Sequence, residues 1–141
     1  MDQKTIPLLA ALLRGSRLAE SRLDAMVAPM ELSTTKLLAL RHLTDSPEPV
    51  TLGALADCMA FVKSNVTQLI DRLEAARLVR RLPNRDDRRC THIEITERGK
   101  ERQAEALAAI RPLGERIERL FAPEDRERLT TLLQRLIEGL R

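Results

Sequence analysis

The chain has 141 residues, of which 43% are apolar and 32% charged, enough for one compact core and too few for a separate substrate domain. With two Phe, no Trp and no Tyr, the core must come from Leu, Ile, Val, Ala and Met, and aromatic platforms that stack single-stranded bases are excluded. The formal net charge of +3 names no partner by itself, but Arg77, Arg80, Arg81, Arg85, Arg88 and Arg89 stand against only Asp86 and Asp87 between residues 77 and 89, a concentration suited to phosphates. The apolar run Ile6 to Leu13 is closed by Arg14 without a small-residue cleavage site; it is too short to span a bilayer, and a cytoplasmic protein without membrane contact is expected. Cys58 and Cys90 lie far apart with no CxxC or Cys/His spacing, so neither a disulfide framework, a metal site nor a cofactor is expected.

Ile6, Leu9, Leu12, Leu13, Leu18, Leu23 and Met26 recur at helical spacing, which predicts a first helix over residues 5–28, ended near Pro29. Ser33 is a candidate N-cap for a second helix with the stripe Leu37, Leu40 and Leu43, and Ser46-Pro47-Glu48-Pro49 must be a loop. Thr51 caps a short helix with Leu52, Leu55, Ala56 and Met59 on one face, and a brief turn at Ala60 and Phe61 leads into the next helix, residues 63–77. There Val66, Leu69, Ile70 and Leu73 form the packing face, while Ser64, Gln68, Asp71 and Ala75 lie opposite, flanked by Asn65, Thr67 and Arg72.

After Arg77 the period changes to two: Leu78 to Leu82 reads as one strand, Thr91, Ile93 and Ile95 as the inward face of a second, with Pro83 to Arg89 as the hairpin tip. Helical spacing returns from Thr96, with Pro112 expected to kink or interrupt the helix. A last helix opens at Pro123, Glu124 and Asp125 and carries the apolar seam Leu129, Leu132, Leu133, Leu136, Ile137 and Leu140. That seam is core of one chain or, for a short helix far from the other elements, the contact with a second copy. The fold class is mainly α with a small β-hairpin wing.

Helix, short helix, turn, amphipathic helix and basic hairpin is the order that reading duplex DNA requires. A major groove about 12 Å wide takes one helix whose N-terminal polar side chains reach base edges. Ser64, Asn65, Thr67 and Gln68 are the candidate readers: Gln68 can pair bidentately with adenine and Thr67 can meet a thymine methyl, while Lys63 and Arg72 suit phosphates. Arg85 or Arg88 at the hairpin tip can enter a narrow minor groove.

These stretches resemble the MarR family of winged helix-turn-helix transcription regulators. The resemblance rests on Leu32-Ser33, on Thr51-Leu52-Gly53-Ala54-Leu55-Ala56, on Val66 to Glu74, on Leu78-Val79-Arg80-Arg81, and on Asp87-Arg88-Arg89 followed by Ile95-Thr96 and Gly99. It implies one MarR-like domain over 1–141, with a winged-helix core at about 30–100 and helical dimerisation regions at about 1–28 and 101–141. It further implies a homodimer on a palindromic operator, released by a small anionic or phenolic effector or by thiol oxidation, with Asp87 and Arg89 as a salt-bridged wing pair and Arg89 part of the DNA surface. Two positions depart from the family pattern. Arg77 stands where glycine is usual, so either a left-handed conformation is borne at about 1 kcal/mol of strain or the helix exits differently; Gln68 replaces a residue that is often basic.

Other readings remain for single features. The recognition face taken alone is also an ordinary solvated surface, the arginine hairpin also protects a sheet edge, and Arg80 and Arg81 suit a structural role. A winged helix can dock a protein instead of DNA. For thiol sensing Cys90, sharing an outward strand face with His92 and Glu94, is the expected exposed thiol ahead of Cys58; His42 is expected to be packed and His92 solvated. No P-loop, HExxH or G-x-S-x-G motif is present, and no enzymatic activity is expected.

Overall fold

The computed structural model describes residues 6–140. Its elements, in chain order, are α1 (Ile6–Val27), a 3-10 turn (Ala28–Met30), α2 (Thr34–Asp45), β1 (Val50–Thr51), α3 (Leu52–Met59), α4 (Lys63–Ala75), β2 (Val79–Pro83), β3 (Thr91–Ile95), α5 (Glu97–Arg119) and α6 (Pro123–Gly139). The expected first helix therefore holds within the described residues, Thr5 lying outside them. By internal contacts the chain divides into two units, one reaching to Ala109 and the other beginning at Ile110. The division falls inside α5, which continues past Pro112 instead of ending there. Proline there removes one rung of the ladder and crowds the Ala108 carbonyl, a cost on the order of 3 kcal/mol that the long helix bears.

Side-chain caps set three of the helix starts, those of α2, α3 and α5. Ser33 Oγ accepts the Lys36 N–H at 3.2 Å and Thr51 Oγ1 accepts the Ala54 N–H at 3.1 Å, each satisfying a donor the helix itself leaves free. Three helix exits use a left-handed residue that is not glycine: Glu31, Ala60 and Arg77, with φ of 59°, 54° and 60°. At Arg77 the exit is a Schellman motif, with Leu78 N–H donating to Leu73 O at 2.9 Å and Arg77 N–H to Glu74 O at 2.8 Å, while Leu73 and Leu78 are both buried. Of the two alternatives at Arg77, the left-handed one is therefore the one adopted.

The sheet is antiparallel with order β1-β3-β2, pairing Val50 with Ile93 and Val79 with Ile95. Its third strand, β1, is only two residues long and escapes a periodicity reading. Pro83 lies in the edge strand β2 opposite Thr91. Because the next pair is joined by Asn84 N–H donating to Cys90 O at 3.4 Å, the Pro83 pair is a non-hydrogen-bonded one and its missing donor points away from the ladder. Under the sheet, Leu40, Leu55, Val66, Ile70, Leu73, Val79 and Ile93 are all essentially inaccessible. Each contributes about 1.5–3 kcal/mol by burial, so the helix-turn-helix is held by aliphatic packing.

The α5 start is tied to the α4 exit. Thr96 Oγ1 lies 2.8 Å from Arg77 O and 3.1 Å from Leu78 O, and it accepts the Gly99 N–H at 3.0 Å. In contrast to this core, the long terminal helices bury little: Val27 is the only buried residue of α1, and α6 has none.

Candidate nucleic-acid interface

Ala60 reverses the chain after α3, with Phe61 N–H returning to Ala56 O at 3.0 Å, and α4 begins three residues later. The α4 stripe of Val66, Leu69, Ile70 and Leu73 is buried. Lys63, Ser64, Asn65, Thr67, Gln68 and Arg72 are all exposed, as their positions on the opposite face and flanks require. Thr67 Oγ1 donates to Lys63 O at 3.0 Å, which commits its proton to the helix and leaves the methyl for contact. At the start of α4, Val62 supplies no side-chain cap, so the first N–H groups of the helix point out with their partial positive charge.

Asp71 shares this face, but its carboxylate is occupied. Arg81 on β2 places Nη2 2.6 Å from Asp71 Oδ1, pairs through Nη1 with Glu74, and donates its backbone N–H to Glu74 Oε1 at 3.1 Å. Burial lowers the affinity of the Arg81 guanidinium for its proton, but the hydrogen bonds to Asp71 and Glu74 and their charges outweigh it and hold the pKa above its ordinary value. The three groups act as a strut between wing and recognition helix, so the structural role expected as one option for Arg81 is the one it has. Arg80 is also engaged, with Nε 2.7 Å from Glu94 Oε2 across the ladder.

At the tip, Asn84 Oδ1 accepts the Asp86 N–H and Asp87 Oδ1 the Arg89 N–H, both at 2.9 Å. The expected Asp87–Arg89 salt bridge is thus corrected: the carboxylate bonds the backbone of Arg89 in an Asx turn, the local geometry that a two-residue spacing favours. Among the described residues, Arg85, Arg88 and Arg89 have no carboxylate partner, and all three are exposed. An exposed polar helix face and three unpaired cations therefore flank a strut of fixed geometry.

The cysteines reverse their expected order. Cys58 is exposed and Cys90 half-buried, because the wing turn folds Asp87 over Cys90, whose Sγ donates to Asp87 Oδ2 at 3.6 Å. The charge of Asp87, followed by desolvation and that hydrogen bond, pushes the Cys90 thiol pKa up, away from the reactive thiolate. His92 is half-buried instead of solvated, since β1 pairs against it at Thr51. His42 is half-buried and lies 3.0 Å from Cys58 Sγ, a pairing across 16 positions that no sequence spacing signals. Among the described residues no three His, Cys, Asp or Glu converge on a metal-sized site, and no helix is long and apolar enough to cross a membrane.

Residues 31–89, from the approach to α2 through the wing tip, match the family model described as MarR family. Over the whole chain the fold is similar to that of AbsC, a MarR family transcriptional regulator from Streptomyces coelicolor, at 27% identity and a TM-score of 0.85, covering 100% of this chain and 97% of that one. The matched residues are those of the helix-turn-helix and its wing, and the fold is that of a MarR winged helix-turn-helix, as the sequence reading expects. The HTH-type transcriptional regulator PecS of Dickeya dadantii is 28% identical over 101 residues, 70% of this chain; the alignment spans 61% of the length of PecS. A mutant MarR from E. coli, solved in complex with operator DNA, is similar in fold at 19% identity and a TM-score of 0.86, covering 96% of this chain and 99% of that one.

Proposed function

We propose that this chain is a MarR-family regulator of transcription that binds double-stranded DNA sequence-specifically. The observation that carries the reading is the exposed set Ser64, Asn65, Thr67 and Gln68 beside the unpaired Arg85, Arg88 and Arg89. In this reading α4 enters the major groove, Gln68 and Thr67 read base edges, and Lys63 and Arg72 meet phosphates. Arg85 or Arg88 enters the flanking minor groove. The strut from Arg81 to Asp71 and Glu74 holds the two contact elements in register, so that little ordering cost is left for binding. The operator-bound MarR of E. coli, similar in fold, supports the same docking.

The functional unit in this reading is a homodimer on a palindromic operator. Leu8, Leu18, Leu132, Ile137 and Leu140 are 49–78% exposed, and two long amphipathic helices with wet apolar faces gain most by packing on a second copy. Residues 30–100 then form the DNA-contacting core, and residues 1–28 and 101–141 the pairing regions. The regulator acts in the cytoplasm as a repressor, released when a small anionic or phenolic ligand changes the separation of the recognition helices.

Selection of bound fragments from genomic DNA, with and without phenolic compounds, tests the reading. Recovery of a shared inverted repeat, lost on Arg88→Ala or Gln68→Ala in a folded dimer, is expected. Equal recovery with both variants removes the site assignment, and a monomer in solution removes the dimer.

A further inference from the structure

The DNA-binding reading leaves one reactive arrangement unused. Cys58, in the last turn of α3, lies with Sγ 3.0 Å from Nδ1 of His42 on α2. Both side chains line a cavity of about 700 Å³ with a mainly apolar wall that includes Ala19, Leu23, Leu38 and Phe61. That volume is within the range of small-molecule sites, about 300–1,000 Å³. The charged members of the lining are Glu20 from α1 and the Arg41–Asp45 pair, 2.7 Å apart, from α2. Arg41 and Asp45 neutralise each other, so neither is committed to the sulfur. Cys90 offers the opposite environment, with its thiol held by Asp87.

A thiol within hydrogen-bond reach of an imidazole nitrogen is the arrangement of an activated nucleophile. With the proton on sulfur, Cys58 donates to Nδ1; after transfer, the imidazolium donates back to the thiolate. We propose that Cys58, with His42 as its base, is a covalent acceptor site for a small, mainly apolar α,β-unsaturated carbonyl compound admitted by this cavity. The wall chemistry selects an apolar carbon electrophile over a small hydrophilic one. His42 takes the thiol proton as a sulfur lone pair forms the S–C bond at the β-carbon. The π pair of the C=C bond moves to the enolate, and the α-carbon then recovers the proton from His42. The net step adds S–H across one double bond and consumes no oxidant or reductant.

Intact-mass and peptide mapping of the wild-type chain treated with cyclohexenone tests this without reference to DNA, so its outcome is separate from that of the DNA-binding reading. Cys58 is expected to react at least about tenfold faster than Cys90, the internal standard, and this preference is expected to shrink with acrylamide, whose amide is more polar. In His42→Asn the Cys58 rate is expected to fall by about tenfold or more while the Cys90 rate holds, as loss of a proton acceptor requires. Comparable rates at the two cysteines of the wild-type chain, or an unchanged Cys58 rate in a folded His42→Asn, overturn the proposal.

Discussion

Gly99 and Gly53 lie in the same winged core, yet the structure assigns them opposite sensitivities. A Cβ on Gly99 would lie 2.7 Å from Ile95 Cγ1 and 3.0 Å from the Leu78 carbonyl carbon, with the Leu78 oxygen closer still. Carbon atoms in contact prefer about 3.5–4.0 Å, so the start of α5 must move by roughly 1 Å from Leu78. That movement stretches the 3.0 Å bond from Thr96 N–H to Leu78 O and the contact of the Thr96 hydroxyl with the same oxygen. Overpacking costs about 1–3 kcal/mol and a weakened hydrogen bond about 1 kcal/mol, offset by about 1 kcal/mol of helix propensity. Gly99→Ala is expected to destabilise by about 1–3 kcal/mol, a fall in Tm of roughly 3–10 °C at this chain length. On Gly53 the added Cβ would meet Lys63 Cε at 3.8 Å, an ordinary contact. Gly53→Ala is therefore expected to stabilise by about 0.5–1 kcal/mol. Thermal and urea unfolding of both variants at matched protein concentration is the assay. A Gly99→Ala protein as stable as wild type, or equal damage from both substitutions, refutes the close-approach argument.

The left-handed exits give a prediction of the other sign: Arg77→Gly and Ala60→Gly, at φ of 60° and 54°, should each raise stability by about 0.5–1 kcal/mol, after the entropy that glycine adds to the unfolded chain; a loss in urea melts would count against the Schellman geometry. Arg81→Met, which strands Asp71 and Glu74, should cost about 1–2 kcal/mol. Because the Arg81 pKa is raised in the fold, its contribution is complete below the unfolded value and lost only as pH rises through the folded one. The stability gap to Arg81→Met should therefore stay level from neutral into mildly alkaline buffer, and a gap that closes there contradicts the strut. For binding, Lys63→Ala and Arg72→Ala, each removing a phosphate contact in the proposed reading, should each flatten log K against log salt by about 0.9. Gln68→Ala should instead relax preference at one base pair by about 1–3 kcal/mol, and fluorescence anisotropy on selected fragments separates the two signatures.

Much of this molecule follows from local rules. The caps Ser33 and Thr51, the α4 stripe of Val66, Leu69, Ile70 and Leu73, and the change to period two at Leu78 are properties of neighbouring residues, legible along the chain because helix and strand periodicities repeat within a few positions. The exposed face of Lys63 to Gln68 follows from the same stripe, since what does not pack must face out. The tertiary structure alone decided which charges were left over. Arg81 found Asp71 and Glu74 on a different element, Asp87 closed a turn on the backbone of Arg89 instead of meeting its guanidinium, and β1 formed only because β3 offered an edge. The pairing of His42 with Cys58 and the need for glycine at position 99 also arise between segments that sequence distance keeps apart. Periodicity shows which side of an element packs; the partner of an ionic or reactive group depends on distances of a few ångströms that exist only once the core has closed.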